Sequence, residues 1–402
     1  MKKFIFLVIL IVAAYLVYTY IWKPSHTPKQ TPPPLTTANS TIHIPPQSPQ
    51  SGIFLYEQGK YKEAANRLEE ELKGSSLEAP DRCLDYLAWA YENLEKSDKA
   101  LKVWERLLKE HPTSIYCGDS YYQLGKRNKD RKQKIDYLEK ALKFTESRGA
   151  HAAGAELGDY YLSQKDIENH EYKARSAYSL ALQSNISKEK AAEIKNSLIE
   201  LNKKLIFSSF LTPDSTIYTV KEGDNLTAIC KKYKVEAGSG DIALGHIRRI
   251  NNLKSATIFP GDKLKIITAP MSVKISKSNF TLTLLVNDDF IKEYHISVGN
   301  PDKINCETPI GTFTVGVKTI HPTWYKRTDD GRKEGIPYGD PRNVLGTRWM
   351  GFKESPQLGI HGTSQPESIG KKISDGCIRM YNADVEELYD FLSEGSKIVI
   401  EE

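Results

Sequence analysis

The chain has little of the chemistry that marks metal-binding, disulfide-rich or nucleic-acid-binding proteins. Its 402 residues include five cysteines, which form neither a CxxC pair nor a zinc-type cluster. An odd number of cysteines cannot form a closed disulfide framework. The formal charge is only +5, and the basic residues are interspersed with acidic ones. The sequence therefore predicts no nucleic-acid partner, no metal site and no organic cofactor.

A long apolar run occurs near the N-terminus. Residues 4–22 are interrupted only by Tyr and Thr, follow Lys2 and Lys3, and are closed by Lys23. About twenty apolar residues span a bilayer, and no A-x-A cleavage site follows, so residues 1–23 are predicted to be a single transmembrane helix in the cytoplasmic (inner) membrane. The lysines favour a cytoplasmic N-terminus and an extracytoplasmic, periplasmic chain. A cleaved signal peptide is the alternative and leads to the same compartment.

Residues 24–50 are rich in Pro, Ser, Thr and Gln. Such a segment buries too little apolar surface to fold, and its prolines stiffen it. It is predicted to be an extended linker.

Residues 51–210 are helical in pattern, and the pattern repeats. Apolar positions recur at steps of 36, 34 and 40 residues: Ala64, Leu68 and Leu72, then Ala100, Trp104 and Leu108, then Leu138 and Leu142, then Tyr178 and Leu182. Paired helices at this spacing resemble tetratricopeptide repeats, which implies a concave groove for a peptide or protein partner. A plain helical bundle that acts as a spacer is the alternative.

Residues 216–268 contain a short strand, two amphipathic helices and a returning strand. The first helix is expected to contain Ile229 and Tyr233, the second to cover residues 246–253, and the strand residues 258–266. This order resembles the LysM domain, a small βααβ fold that binds peptidoglycan glycan. The resemblance implies that the groove is lined by Gly223, Asp224, Asn251 and Asn252.

An independent glycan-binding module of this kind is expected to be removable. Deletion of residues 217–267 should then reduce binding to peptidoglycan and spare activity on soluble fragments. A purely structural role for the module is the alternative.

The chemistry of the chain is concentrated in HGT at residues 361–363 and SDGCIRMYN at residues 374–382. A thiol with a pKa of about 8.5 needs a base or a positive charge nearby to act as a nucleophile. His361 is the candidate base for Cys377, and Arg379 is the candidate charge. Gly376 allows the amides around the cysteine to face a reacting carbonyl oxygen, as an oxyanion hole. The alternative is a small buried cysteine and a loop histidine without a catalytic role.

These motifs resemble the signature of the L,D-transpeptidase catalytic domain, with TPIGTF at residues 308–313 and NVLGTRWM at residues 343–350 upstream. The resemblance covers residues 271–402. It implies that Cys377 attacks the peptidoglycan stem peptide, that His361 is the base and that Arg379 holds substrate. The other predicted substrate-binding residues are Gly362, Thr363, Ser374, Trp349 and Asn382. Asp375 departs from the family, in which a second histidine is usual.

The C-terminal domain is predicted to be mostly β. Strands are expected at residues 272–275, 281–286, 291–297, 312–317 and 397–400. Asn382 is predicted to cap a helix over residues 383–392. Residues 321–341 are a candidate flap over the site, or else a surface excursion.

The fold class is therefore multidomain: tetratricopeptide-like helices, a βααβ LysM module and a mostly-β L,D-transpeptidase domain behind a transmembrane helix. The predicted function is a membrane-anchored enzyme that makes 3→3 peptidoglycan cross-links through a cysteine thioester. An L,D-carboxypeptidase that trims tetrapeptide stems and an inactive peptidoglycan-binding scaffold are the alternatives.

Overall fold

The computed structural model describes residues 51–74, 77–183, 186–233, 242–327 and 331–402. The predicted anchor and linker, residues 1–23 and 24–50, lie outside these ranges. Within them, no helix is both long enough and apolar enough to cross a membrane. The described chain divides into two compact units, one ending at Val103 and the other beginning at Trp104.

The helical region, residues 51–205, is helical as predicted. Its helices are α1 (Gly52–Glu57), α2 (Tyr61–Glu71), α3 (Pro80–Asn93), α4 (Ser97–Glu110), α5 (Cys117–Arg127), α6 (Arg131–Ala141), α7 (Arg148–Ser163), α8 (His170–Ala181) and α9 (Lys188–Leu205). Several begin at a side-chain cap. Ser51, Asp130, Ser147 and Ser187 each accept a hydrogen bond from the backbone N–H three residues on, which satisfies a free donor of the first turn.

The repeat predicted from the sequence is visible in the burial of equivalent positions. Four equivalent positions are buried: Leu68, Trp104, Leu138 and Tyr178. The residue four positions after each of them is half-buried: Leu72, Leu108, Leu142 and Leu182. A second feature recurs as well. The Tyr91 hydroxyl donates to Glu69 and the Tyr161 hydroxyl donates to Glu139, with 22 residues between the partners in each pair.

The βααβ module follows, with β1 (Ser215–Thr219), α10 (Leu226–Lys232), α11 (Leu244–Ile250) and β2 (Lys263–Ile267). β1 and β2 are antiparallel, with Tyr218 opposite Leu264. The second helix and the last strand are both shorter than predicted. The helix ends early because Asn252, at φ +51°, adopts the left-handed conformation that stops a helix.

The C-terminal domain, residues 271–402, is mostly β as predicted. Its strands are β3 (Met271–Ser276), β4 (Thr281–Val286), β5 (Asp289–Gly299), β6 (Gly311–Ile320), β7 (Trp324–Arg327), β8 (Lys333–Ile336), β9 (Arg348–Phe352), β10 (Gly359–His361), β11 (Lys372–Ser374), β12 (Ile378–Met380) and β13 (Lys397–Glu401). Nine strands form one sheet in the order β11-β5-β12-β10-β9-β6-β13-β3-β4, and β4 also pairs with β5, so the sheet closes on itself. The helix α12 (Asn382–Phe391) packs on it.

Within the second unit, buried polar contacts as well as apolar ones join the helices α8 and α9 to the C-terminal domain. Arg175 of α8 is fully buried and donates to Asp214 at 2.8 Å and to Asp289, at the start of β5, at 3.1 Å. The Asn202 amide of α9 donates to the Phe290 carbonyl oxygen at 2.8 Å. Helices α8 and α9 therefore bind the first residues of β5.

The βααβ module shares the core of the C-terminal domain. Ile250 and Ile267 are fully buried in the same apolar cluster as Val385, Leu388 and Phe391 of α12. Deleting residues 217–267 would uncover that cluster and is expected to destabilise the C-terminal domain; the effect of the deletion on activity stays a prediction.

Candidate active site

His361 ends one strand of the sheet, and Cys377 lies in the loop immediately before the neighbouring strand. β10 and β12 run parallel, with Ile360 opposite Ile378 and His361 opposite Arg379. The two isoleucines are fully buried on the core face. His361 and Arg379 lie on the opposite face to the isoleucines, and Cys377 immediately precedes β12. The charge of Arg379 acts on the pKa of both Cys377 and His361.

His361 is held in one tautomer. Its Nδ1 lies 2.6 Å from the Gly362 carbonyl oxygen. A carbonyl oxygen can only accept, so Nδ1 carries the proton and Nε2 keeps its lone pair. The ring of Trp349, opposite His361 in the register of β9 and β10, stacks on the imidazole with 5.8 Å between centroids.

Burial lowers the pKa of His361 to about 4. The positive charge of Arg379 acts in the same direction, and hydrogen bonding to the backbone of Gly362 and Leu345 opposes it. The imidazole is therefore neutral at neutral pH, and Nε2 is ready to accept a proton.

Burial raises the pKa of the Cys377 thiol to about 11. The Gly359 backbone and Arg379 lower it, and Asp375 raises it. The Sγ atom lies 3.8 Å from the Gln357 carbonyl oxygen. With these pKa values, the two side chains at rest are a thiol and a neutral imidazole.

Two hydrogen bonds fix the loop that carries Cys377. Gly376 has φ +101°, a conformation that glycine adopts without strain. Its carbonyl oxygen accepts from the Thr308 hydroxyl at 2.9 Å, and Thr308 in turn accepts from the Gly299 amide at 2.7 Å. The Ser374 hydroxyl donates to the Cys377 carbonyl oxygen at 2.5 Å. The oxyanion hole at Gly376 and Cys377 stays a prediction.

Asn382 connects segments that are far apart in sequence. Its Oδ1 accepts from the Thr347 amide at 3.2 Å and the Thr363 amide at 3.1 Å, and its Nδ2 donates to the Thr363 carbonyl oxygen at 2.9 Å. Side chains on Gly346 and Gly362 would collide with it, since a Cβ there would lie 2.2 Å and 2.1 Å from Oδ1. Glycine is thus required at both positions.

The prediction that Asn382 caps α12 is wrong. The helix begins at Asn382 itself, and its N-cap is Tyr381. The amide of Asn382 is drawn away from the helix because it bonds the backbone of the HGT segment instead.

Asp375 is exposed beside the nucleophile loop. Its Oδ1 lies 3.5 Å from the Cys306 sulfur. Burial raises the pKa of both Cys306 and Cys377, and the negative charge of Asp375 raises both further. Cys306 and Cys377 are both free thiols in the described structure.

The predicted substrate-binding residues fall into two groups. Gly362, Thr363, Ser374 and Asn382 use their polar groups to build the loops around the site. Arg379 and Trp349 are half-buried, and the Nε atom of Arg379 is buried without a partner among the described residues. An unpaired guanidinium donor beside a thiol is suited to an anionic or carbonyl group of a substrate.

The candidate flap is a hairpin of β7 and β8, with Trp324 opposite Ile336. The Asn343 amide fixes its base by donating to the Pro322 and Ile336 carbonyl oxygens at 2.9 Å each. Tyr325 is 67% exposed. Whether this hairpin covers the site stays a prediction.

The predicted glycan-binding residues of the βααβ module differ in whether their side chains already have hydrogen-bond partners within the protein. Asn251 donates to the Ile247 and Lys265 carbonyl oxygens and accepts from the Lys265 amide, so its side chain joins α11 to β2. Asp224 is bonded to the Tyr218 hydroxyl and the Lys221 amide, both at 2.7 Å. Gly223 and Asn252 lie at exposed turns with positive φ.

The contacts that sequence reasoning missed are mostly backbone groups. Gln357 and Gly359 meet the thiol, and Leu345 meets the imidazole, through main-chain atoms alone. A contact made by main-chain atoms does not depend on the residue type, so the sequence does not indicate it. Thr308 and Gly346 do stand in motifs that the sequence singled out, but their partners emerge only from the folded sheet.

The closed β sheet carries His361 on β10 and Cys377 in the loop immediately before the parallel strand β12, an arrangement suited to acyl transfer through a cysteine. Family models match three parts of the chain: the L,D-transpeptidase catalytic domain matches residues 270–400, the LysM domain residues 218–266 and the tetratricopeptide repeat residues 82–114.

Bacillus subtilis YqjB, which is named as an L,D-transpeptidase, is 35% identical over 132 residues, covering 32% of this chain and 69% of YqjB. YkuD of the same organism, also named so, is 31% identical over 189 residues, covering 46% of this chain and 97% of YkuD. The chain belongs to the L,D-transpeptidase family. The catalytic domain of the E. faecium L,D-transpeptidase is 23% identical, with 33% of this chain and 97% of that chain covered; its TM-score of 0.27 adds nothing to the assignment.

Proposed function

We propose that the protein is a cysteine-dependent L,D-transpeptidase that forms 3→3 cross-links between peptidoglycan stems. The observation that carries this proposal is that β10 and β12 run side by side, with His361 opposite Arg379 and Cys377 immediately before β12, while Nδ1 of His361 is committed to the Gly362 carbonyl oxygen. That tautomer leaves Nε2 as the base for the thiol.

The reaction then has two acyl transfers. Sγ of Cys377 attacks the carbonyl carbon at the L-centre of the third stem residue, while Nε2 of His361 takes the thiol proton. The bond to the terminal D-Ala breaks, and His361 returns the proton to the leaving amine. The amine of a neighbouring stem attacks the thioester, forms the new amide and releases the thiol.

The neutral resting pair supports this order of events. An enzyme that stored a thiolate would hold an imidazolium beside it, and burial of His361 disfavours that charge. The thiol therefore stays protonated until a carbonyl is in place. Protonation also protects the sulfur from oxidation between turnovers, because the thiolate is the reactive form.

Peptidoglycan glycan is the proposed second partner, held by the βααβ module. Support comes from the LysM match and from the free turns at Gly223 and Asn252. Asn251 is better suited to holding these turns in place than to binding sugar, since its amide is already bonded on both sides. A protein partner for the helical region is proposed on the tetratricopeptide match alone.

The proposed location is the outer face of the cytoplasmic membrane, with residues 4–22 as anchor. Support is the apolar run itself and the lysines before it. A reporter fused after Glu402 tests it. Reporter activity outside the membrane is expected, and activity in the cytoplasm would overturn the orientation.

Incubation of the purified protein with disaccharide-tetrapeptide fragments, followed by mass spectrometry, tests the reaction. Cross-linked dimers with loss of D-Ala are expected. Tripeptides alone would identify an L,D-carboxypeptidase, in which water resolves the thioester. Unchanged substrate would identify a binding scaffold.

A further inference from the structure

The helix α12 connects the active-site loops to the βααβ module. Its first residue, Asn382, bonds the Thr347 and Thr363 backbone beside His361. Two turns later, the Asp390 carboxylate accepts from Nε of Arg249 on α11 at 2.7 Å. At 1.5 Å per residue, the two ends of this connection are about 12 Å apart.

The contact between α11 and α12 is close as well as charged. A Cβ on Gly245 would lie 2.3 Å from Oδ1 of Asp390 and 2.5 Å from its Cβ, so only glycine fits there. The His246 and Phe391 rings meet edge to face, 6.1 Å apart. Because the side chains at this contact have no room to adjust, a displacement of one helix also displaces the other.

The C-terminal end of α12 is also held from inside its own domain. The Lys318 ammonium donates to the Tyr389 carbonyl oxygen at 2.7 Å and to the Leu392 carbonyl oxygen, and it lies 4.0 Å from the centroid of the Tyr389 ring. Lys318 and Arg249 both place positive charge at the negative end of the helix dipole. One of these two cations comes from the βααβ module.

We propose that Arg249 and Asp390 are a positioning pair through which the βααβ module holds α12, and thereby the His361 loop, in its catalytic position. The inference rests on the proposed function for the identity of the reaction, but the pair acts on the acylation of Cys377 whatever the acceptor. The module is then a support of the active site as well as a binding unit. Neither residue touches substrate.

The test measures the rate at which a carbapenem acylates Cys377 in the full chain. Arg249→Glu places two carboxylates in contact and should slow acylation roughly fivefold, the scale of one exposed ion pair turned repulsive. The reversed pair, Arg249→Glu with Asp390→Arg, should restore most of the rate. Gly245→Ala forces the helices apart without changing charge, and should also slow acylation.

Lys195→Glu is the matched control. Lys195 of α9 bonds Glu293 of β5 at 2.8 Å, and the exposure of the two side chains, 34% and 28%, is close to the 36% and 22% of Arg249 and Asp390. This ion pair also joins the C-terminal domain to a preceding segment, but it does not touch α12. Acylation in Lys195→Glu should equal that of the wild type.

Unchanged acylation in Arg249→Glu, or no recovery in the reversed pair, would overturn the proposal even if the melting temperature fell. An equal loss of acylation rate in Lys195→Glu would mean that general destabilisation slows acylation, and it would also overturn the proposal. Failure of the proposed function gives a different result: a wild type that is acylated but converts no stem peptide. The comparison of acylation rates stands in that case.

Discussion

Oδ1 of Asn382 accepts the Thr363 amide at 3.1 Å while Nδ2 of the same side chain donates to the Thr363 carbonyl oxygen at 2.9 Å. Both backbone groups of one residue are thus bonded by one amide. Thr363 lies two positions from His361, and Asn382 five from Cys377. The contact ties together the segments that carry the two reactive groups.

Asn382→Ala should lower kcat by roughly tenfold or more, because two backbone amides and a carbonyl lose their partner and the His361 loop is released. KM should change less, since the amide is committed to backbone partners. Steady-state kinetics on a tetrapeptide fragment measures both. Asn279→Ala, which removes a surface amide bonded to Ser276, is the control. A normal kcat in Asn382→Ala would show that the contact is dispensable for positioning.

The pH dependence of Cys377 alkylation should follow the raised pKa of the thiol. The reactive thiolate forms only as the pH approaches about 11, so the rate with iodoacetamide should climb through pH 8 to 10 without a plateau. Turnover should persist at pH 5 and fall near pH 4, where His361 takes a proton and ceases to be a base. Peptide mass spectrometry separates Cys377 from Cys306. A plateau near neutral pH would reveal a stored thiolate–imidazolium pair instead.

Asp375→Asn should lower the pKa of Cys377, because the carboxylate raises it, and should keep most activity. His361→Ala should lose at least about a hundredfold in rate, the usual scale of a positioned base. Glu307→Gln is the control, since it removes a carboxylate of the adjoining loop that faces Lys277 at 2.7 Å. If Asp375→Asn is as damaging as His361→Ala, Asp375 belongs with the catalytic groups.

Arg175→Met should destabilise the protein by about 3–5 kcal/mol, because Asp214 and Asp289 are left buried without their cation. Denaturant unfolding followed by fluorescence measures the change. Lys203→Met breaks an exposed ion pair with Glu200 on α9 and should cost less than about 1 kcal/mol. Equal losses in the two variants would contradict the structural role given to Arg175.

The regular parts of the fold were predictable from side-chain periodicity. Residues 281–286 form β4 as expected, because the alternation of apolar residues indicates which face of the strand is buried. Tyr and Trp at the repeat positions are buried for the same reason. The motifs likewise identified the Cys377 and His361 segments before any geometry was known.

What the sequence does not specify is how distant segments meet. Arg175, Asp214 and Asp289 are separated by tens of residues, and their types alone do not predict a buried triad. Asn is a residue type suited to a helix cap, but the amide of Asn382 bonds the Thr363 backbone instead of the first turn of α12. The LysM resemblance predicts a separable module, whereas Ile250 and Ile267 complete a core shared with α12.

Intact-mass analysis of the Cys377→Ala variant tests the central claim most directly. The wild type should gain one carbapenem adduct, located at Cys377, and should convert tetrapeptide fragments with loss of D-Ala. Cys377→Ala should do neither, while Cys306→Ala, which removes the neighbouring thiol, should do both. Turnover by Cys377→Ala, or an adduct on Cys306 in the wild type, would contradict the assignment of Cys377 as the nucleophile.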